Sequence, residues 1–166
     1  MRLYVIRHGY SEGNAMGIYD DDPTDNLPLS EEGKMQAQEL AQRFPRVDCV
    51  FVSQFLRTQQ TAIIANTHRV PMYIDARLNE VKTGKNRQQY VKNTIYAETF
   101  DQIIIRVRSF LGDLCIEDVE HVAVVTHADI VEAFYNILGG VHTDKIDMIS
   151  IPNCSIHEFT LDRNFK

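Results

Sequence analysis

Short apolar runs rich in β-branched residues alternate with longer amphipathic stretches along this chain, and that alternation constrains its fold more than any other feature. Residues 3–6, 48–52, 72–74 and 122–125 each form such a run, and each stops near Gly, Ser, Asp or Thr, the pattern of strands buried in a parallel sheet. The stretches between them have helical periodicity. Ala37, Leu40, Ala41 and Phe44 share one face, behind Ser30 as N-cap and ahead of Pro45 as the stop. Phe100, Ile103, Ile104, Val107, Phe110, Leu111 and Leu114 form an i, i+3, i+4, i+7 stripe. Ile130, Ala133, Phe134, Ile137 and Leu138 repeat it and end at Gly139-Gly140. A further helix beginning near Phe55 has its apolar face interrupted by Gln59 and Gln60. Two last strands are expected near residues 148–151 and 155–161. Parallel strands need crossover connections, so the expectation is an α/β protein, a three-layer αβα sandwich with a mainly parallel sheet.

No linker, repeat or low-complexity stretch divides the chain, and its 166 residues are expected to form a single domain over 1–166. No apolar run exceeds four residues, whereas a bilayer span takes about twenty. The first apolar run meets Arg7 and His8 at once, unlike a signal-peptide core, so a cytoplasmic location with no membrane partner is expected. Cys49, Cys115 and Cys154 are widely spaced among apolar neighbours and read as small hydrophobes. The net charge of −6 disfavours nucleic acid as a partner. Asp20, Asp21, Asp22 and Asp25 read as a solvated loop. Residues 81–97 lack a period, carry Lys82, Lys85, Arg87 and Lys92 with no acid, and read either as a lid or binding loop or as a solvated surface loop.

Ligands of open α/β sheets bind outside the carboxyl ends of the strands. Arg7-His8-Gly9 follows the first strand, residues 53–57 follow the second, Leu78-Asn79-Glu80 lies past the third, and Thr126-His127 ends the fourth. Two histidines, two arginines and a glutamate thus converge on one rim. Singly, each has an ordinary structural explanation. Together, Arg7 and Arg57 beside His8 and His127 would repel unless an anion joined them. Two histidines and a glutamate also suit zinc or iron, but the adjacent arginines oppose a divalent cation, so neither a metal nor another cofactor is expected. Guanidinium forks match phosphate oxygens, and an imidazole can attack phosphorus and hold it covalently.

These residues sit in five ordered blocks. Arg7-His8-Gly9-Tyr10-Ser11-Glu12-Gly13-Asn14 resembles an RHGxTxxN signature with serine for threonine, and residues 29–37 resemble LTxxGxxQA with the same exchange. Residues 53–62 match SxLxRxxQTA apart from Phe55, Leu78-Asn79-Glu80 matches LxE, and Val125-Thr126-His127 matches VxH. In all five the chain resembles the histidine phosphatase superfamily, the phosphoglycerate mutase-like family. The resemblance implies a phosphoglycerate mutase-like fold and a phosphomonoester as the small-molecule partner. It also implies that His8 is the nucleophile that becomes phosphohistidine, that Arg7, Arg57 and His127 hold the phosphoryl group, that Glu80 is the proton donor to the leaving oxygen, and that Asn14 contacts the phosphate. Ala128, and Ala97-Glu98-Thr99 before the long helix, depart slightly from the family pattern. The segment after Glu80 departs more, being short, basic and polar, so the substrate cannot be carried over.

Three functions fit this site. The first is a metal-independent phosphomonoesterase. A phosphoglycerate mutase is the second, and it must shield its phosphohistidine from water, usually with long covering segments that this chain lacks. The third is a non-catalytic module that binds phosphorylated ligands. If residues 81–97 help recognise substrate, Lys82 and Lys85 are candidates to meet a second anionic group.

Overall fold

In a computed structural model, which describes residues 1–25, 27–83, 97–141 and 149–165, the apolar runs pair as one five-stranded sheet. Its strands are β1 (Arg2–Arg7), β2 (Cys49–Val52), β3 (Met72–Ile74), β4 (His121–Thr126) and β5 (Ile156–Thr160), in the order β3-β2-β4-β1-β5. The first four run parallel, and β5 is antiparallel to β1. Side chains of successive strand residues point to opposite faces, and here both faces are buried. Leu3, Val5, Val122 and Val124 share a core with Ile103, Val107 and Phe134. Ile6, Val50, Val52, Ala123 and Val125 pack with Ala37, Leu40 and Ala62. The first core is covered by α4 (Phe100–Leu114) and α5 (Ala128–Leu138), the second by α2 (Glu31–Gln42) and α3 (Leu56–Ala65). These are the three layers expected, with an additional short helix α1 (Glu12–Met16).

The caps agree with the sequence signals. Ser30 Oγ accepts the Gly33 amide at the start of α2, and α5 stops at Gly139, with Gly140 in the left-handed region at φ 70°. No helix among the described residues is long and apolar enough to cross a membrane. One expected strand does not form. Of residues 148–151, Met148 lies outside the described residues, and residues 149–151 are irregular. The free edge of β1 is taken by β5, and the Ile151 carbonyl accepts the Arg7 guanidinium instead of a ladder bond.

Candidate active site

Because β1, β2 and β4 run parallel, the residues just past their carboxyl ends arrive on one rim. Arg7 closes β1 and His8 comes next, Ser53 succeeds β2, and His127 sits between β4 and α5 as the N-cap residue of that helix. Glu80 lies two residues past a single 3-10 turn (Ala76–Leu78), which the Thr126 hydroxyl anchors by donating to the Leu78 carbonyl at 2.7 Å.

The loop after His8 is held from below by the two covering helices. The Gly9 amide donates to Thr61 Oγ1 at 3.0 Å, the Tyr10 amide donates to Gln36 Oε1 at 2.9 Å, and the Leu29 amide donates to Gln60 Oε1 at 2.7 Å. A Cβ on Gly33 would lie 1.9 Å from the Tyr10 carbonyl oxygen, so only glycine lets α2 approach this loop. Gln60 therefore interrupts the apolar face of α3 for a reason: its amide fixes the chain beside the site.

His8 is buried, and its Nδ1–H donates to the Gly9 carbonyl at 2.7 Å, which leaves the lone pair on Nε2. Burial, then the Arg57 and His127 charges, push its pKa well below the usual histidine value, so the ring is neutral. The His127 ring is also fully buried, 5.2 Å from His8 between centroids. Its Nε2–H donates to Ser53 Oγ at 2.9 Å, Ser53 donates to Thr58 Oγ1 at 2.8 Å, and Thr58 donates to the Phe55 carbonyl at 2.7 Å. His127 Nδ1 faces two groups at 3.3 Å, Arg57 Nη2 and Glu80 Oε2. Burial lowers the His127 pKa to about 4.

Arg57 lies over the Phe55 ring, 4.3 Å from its centroid, so the phenylalanine in the leucine position supplies a π face for the guanidinium. Its Nη2 is 3.9 Å from Glu80 Oε2. Burial would raise the Glu80 pKa, but the His127 ring first, then Arg57 and the Val81 amide, hold the carboxyl below its usual range. Arg7 donates to the Ile151 carbonyl, and its Nε is buried with no partner among the described residues. Asn14 Oδ1 accepts both the Ser11 amide and the Ser11 hydroxyl, so the group it can offer the cleft it lines is the donor Nδ2.

The aspartate loop departs from expectation at one residue. Asp20 is 4% exposed, with Oδ2 2.9 Å from Arg57 Nη1 and its carbonyl accepting Arg57 Nη2 at 3.1 Å. It is drawn inside because a buried guanidinium needs a counter-charge, and composition alone shows only a run of acids. Asp21 accepts the Thr83 amide at 2.6 Å. Lys82 is exposed and does not line the cleft, with its amide bonded to Glu98 Oε2 at 3.2 Å and its carbonyl accepting the Ala97 amide at 2.8 Å. Lys85, Arg87 and Lys92 lie outside the described residues.

One ligand-type atom each from His8, Glu80 and His127 lie within 4.8 Å of one another, as in a metal ligand set. The Arg57 guanidinium, 3.3 Å from His127 Nδ1, stands against the space a divalent cation would occupy, so the residues fit an oxyanion better than a metal.

Comparison with known proteins points to the same chemistry. Residues 3–94 and 85–166 match the profile of the histidine phosphatase superfamily, branch 1. A relative from Hydrogenobacter thermophilus, a putative phosphoserine phosphatase 2, is 26% identical over 97% of this chain and 90% of its own length. The adenosylcobalamin/alpha-ribazole phosphatase of Salmonella typhimurium is 38% identical over 51% of this chain, an alignment spanning 42% of that protein. Other relatives are named phosphoglycerate mutases. The structure of Bacillus stearothermophilus YhfR superposes with a TM-score of 0.80 at 20% identity, covering 97% of this chain and 91% of that one, and shares the fold.

Proposed function

The chain belongs to the histidine phosphatase superfamily, branch 1, and from that premise we propose that residues 1–166 act as one domain hydrolysing small phosphomonoesters through a phosphohistidine on His8, without a metal. One observation carries the reading: a neutral, buried His8, its Nδ1–H held by the Gly9 carbonyl, has its Nε2 lone pair free beside two arginines. In the first step the His8 Nε2–P bond forms as the ester P–O bond breaks, and Glu80 delivers a proton to the leaving oxygen. In the second, water attacks phosphorus, the N–P bond breaks, Glu80 takes back a proton and inorganic phosphate leaves. Arg7, Arg57 and the Asn14 amide neutralise the equatorial oxygens, so positioning and charge do most of the catalysis.

Glu80 is ionised before substrate binds, so it must take up a proton from solvent as the ester enters. A phosphoryl dianion beside Arg57 offsets the cation that holds the carboxylate down, which raises the Glu80 pKa as the ester binds. Lys82, exposed two residues past Glu80 and outside the cleft walls, is available only to an additional anionic group that reaches beyond the cleft.

The test is a panel of phosphomonoesters with excess chelator present. Inorganic phosphate should be released, and vanadate, a phosphate-like oxyanion, should inhibit. Activity lost on chelation and restored by zinc or manganese would contradict the reading. The mutase reading, favoured by the names of some relatives, requires transfer of the phosphoryl group between phosphoglycerates with little phosphate released.

A further inference from the structure

Two buried atoms of the cleft lack partners among the described residues, and they are chemically opposite. Arg7 Nε is a donor without an acceptor, and Asp20 Oδ1 is an acceptor without a donor, although the Asp20 carboxylate as a whole meets Arg57 and the Asp22 amide. Buried polar groups are nearly always paired in a finished structure, so each calls for a group that a ligand brings. A phosphoryl oxygen answers Arg7, but a phosphoryl dianion has no proton to donate to Asp20. Asp20 lines the same cleft, with its side chain 3% exposed and its other oxygen on Arg57. Arg57 therefore stands between the phosphoryl position and Asp20, and whatever meets Oδ1 lies about one guanidinium away from the phosphoryl group.

Charge balance leads to the same place. With Glu80 protonated for the first step and both histidines neutral, Arg7 and Arg57 face Asp20 alone, so a bound dianion leaves the cleft with one negative charge in excess. An ester that carries its own cation or donor restores the balance where Asp20 needs it, whereas a second carboxylate makes it worse.

Resting on the phosphomonoesterase reading, we propose that Asp20 is the carboxylate that reads the substrate's alcohol portion: it selects esters bearing an ammonium or hydroxyl on a short arm from the phosphoryl group, and rejects those bearing a carboxylate there. Asp20 is a specificity residue in this scheme and takes no part in proton transfer.

Three esters of similar size form the test: phosphoethanolamine, ethyl phosphate and phosphoglycolate, which differ in carrying an ammonium, nothing or a carboxylate. The native protein should rank them in that order by kcat/KM, with at least about tenfold between the first and last. Asp20→Asn should compress the ammonium-to-carboxylate ratio to within about threefold. Using the ratio cancels any general effect of freeing Arg57. Asp21→Asn, which alters the neighbouring acid bonded to Thr83, should keep the native ratio. Equal or reversed ranking by the native protein overturns the proposal even if Asp20→Asn does not fold, and so does an unchanged ratio in a folded Asp20→Asn. The same ranking, measured as affinity for His8→Ala by calorimetry, needs no turnover. Ranked binding without turnover in the native protein would overturn the hydrolase reading and leave Asp20 assigned, turnover without ranking would do the reverse, and failure of all three to bind would overturn both.

Discussion

Arginines and carboxylates pair at both ends of the sheet, with one histidine at the amino ends and two past the carboxyl ends. Toward the amino ends, Arg2 meets Glu158 at 2.8 Å with both side chains about half exposed, Arg163 meets Glu120 at 2.8 Å, and His121 opens β4 in solvent. Past the carboxyl ends, Arg57 meets Asp20 at 2.9 Å with side chains 5% and 3% exposed, and the His8 and His127 pKa values are pushed down by burial. The residue types match, but water screens one set and not the other. Solvated pairs relax and contribute little, whereas desolvated ones hold fixed charge where a phosphoryl group can meet it.

Removing one cation at each end should separate the two regions most widely. Arg57→Ala strands Asp20 and Glu80 as buried charges and should cost about 3–5 kcal/mol of stability in chemical denaturation, with kcat/KM reduced at least about a hundredfold. Arg2→Ala should cost about 0–1 kcal/mol and leave kinetics unchanged. Similar losses from both would mean that burial does not distinguish the ends. Next in size, Glu80→Gln should slow alkyl phosphates by about a hundredfold or more but nitrophenyl phosphate by much less, since a nitrophenolate needs little protonation to leave. An equal loss for both ester types would remove Glu80 as the acid.

Acid should expose the same asymmetry more gently. His8 and His127 titrate near 6.5 when unfolded but lower in the folded protein, with His127 at about 4. Between those values the unfolded chain binds more protons, so stability is full above about pH 6.5 and is lost as pH falls toward 4. Thermal melts from pH 7.5 down to 5 should show it, and His8→Asn should flatten the slope. A melting temperature constant over that range would mean that the histidines are not buried neutral. Smallest of all, Lys82→Ser should raise KM by less than about threefold even for an ester with a second anionic group, because Lys82 is exposed outside the cleft walls.

The same contrast explains what the sequence makes legible. Strands 3–6 and 122–125 stand out because they are apolar on both faces, and the placement of His8, Arg7, Glu80 and His127 can be read from where the strands end. Arg57 is found through its block. Gln60 is detectable only as an interruption of an apolar face, and its reason, a bond to the Leu29 amide, is tertiary. Asp20 reads as solvated because it sits among Asp21, Asp22 and Asp25. Nothing local shows that the loop turns it onto a guanidinium thirty-seven residues away. Residues 149–151 look like a strand because their composition cannot show that β5 already covers the edge of β1.

Rapid quench of the native protein with phosphoryl-labelled substrate into alkaline denaturant decides whether a neutral His8 becomes the phosphoryl carrier. Label stable to base and labile to acid should map to the peptide containing His8, and His8→Ala should trap none and lose at least about a thousandfold in turnover while still folding. Steady turnover by the native protein without a trapped phosphoramidate, or by a folded His8→Ala at near-native rate, would contradict it.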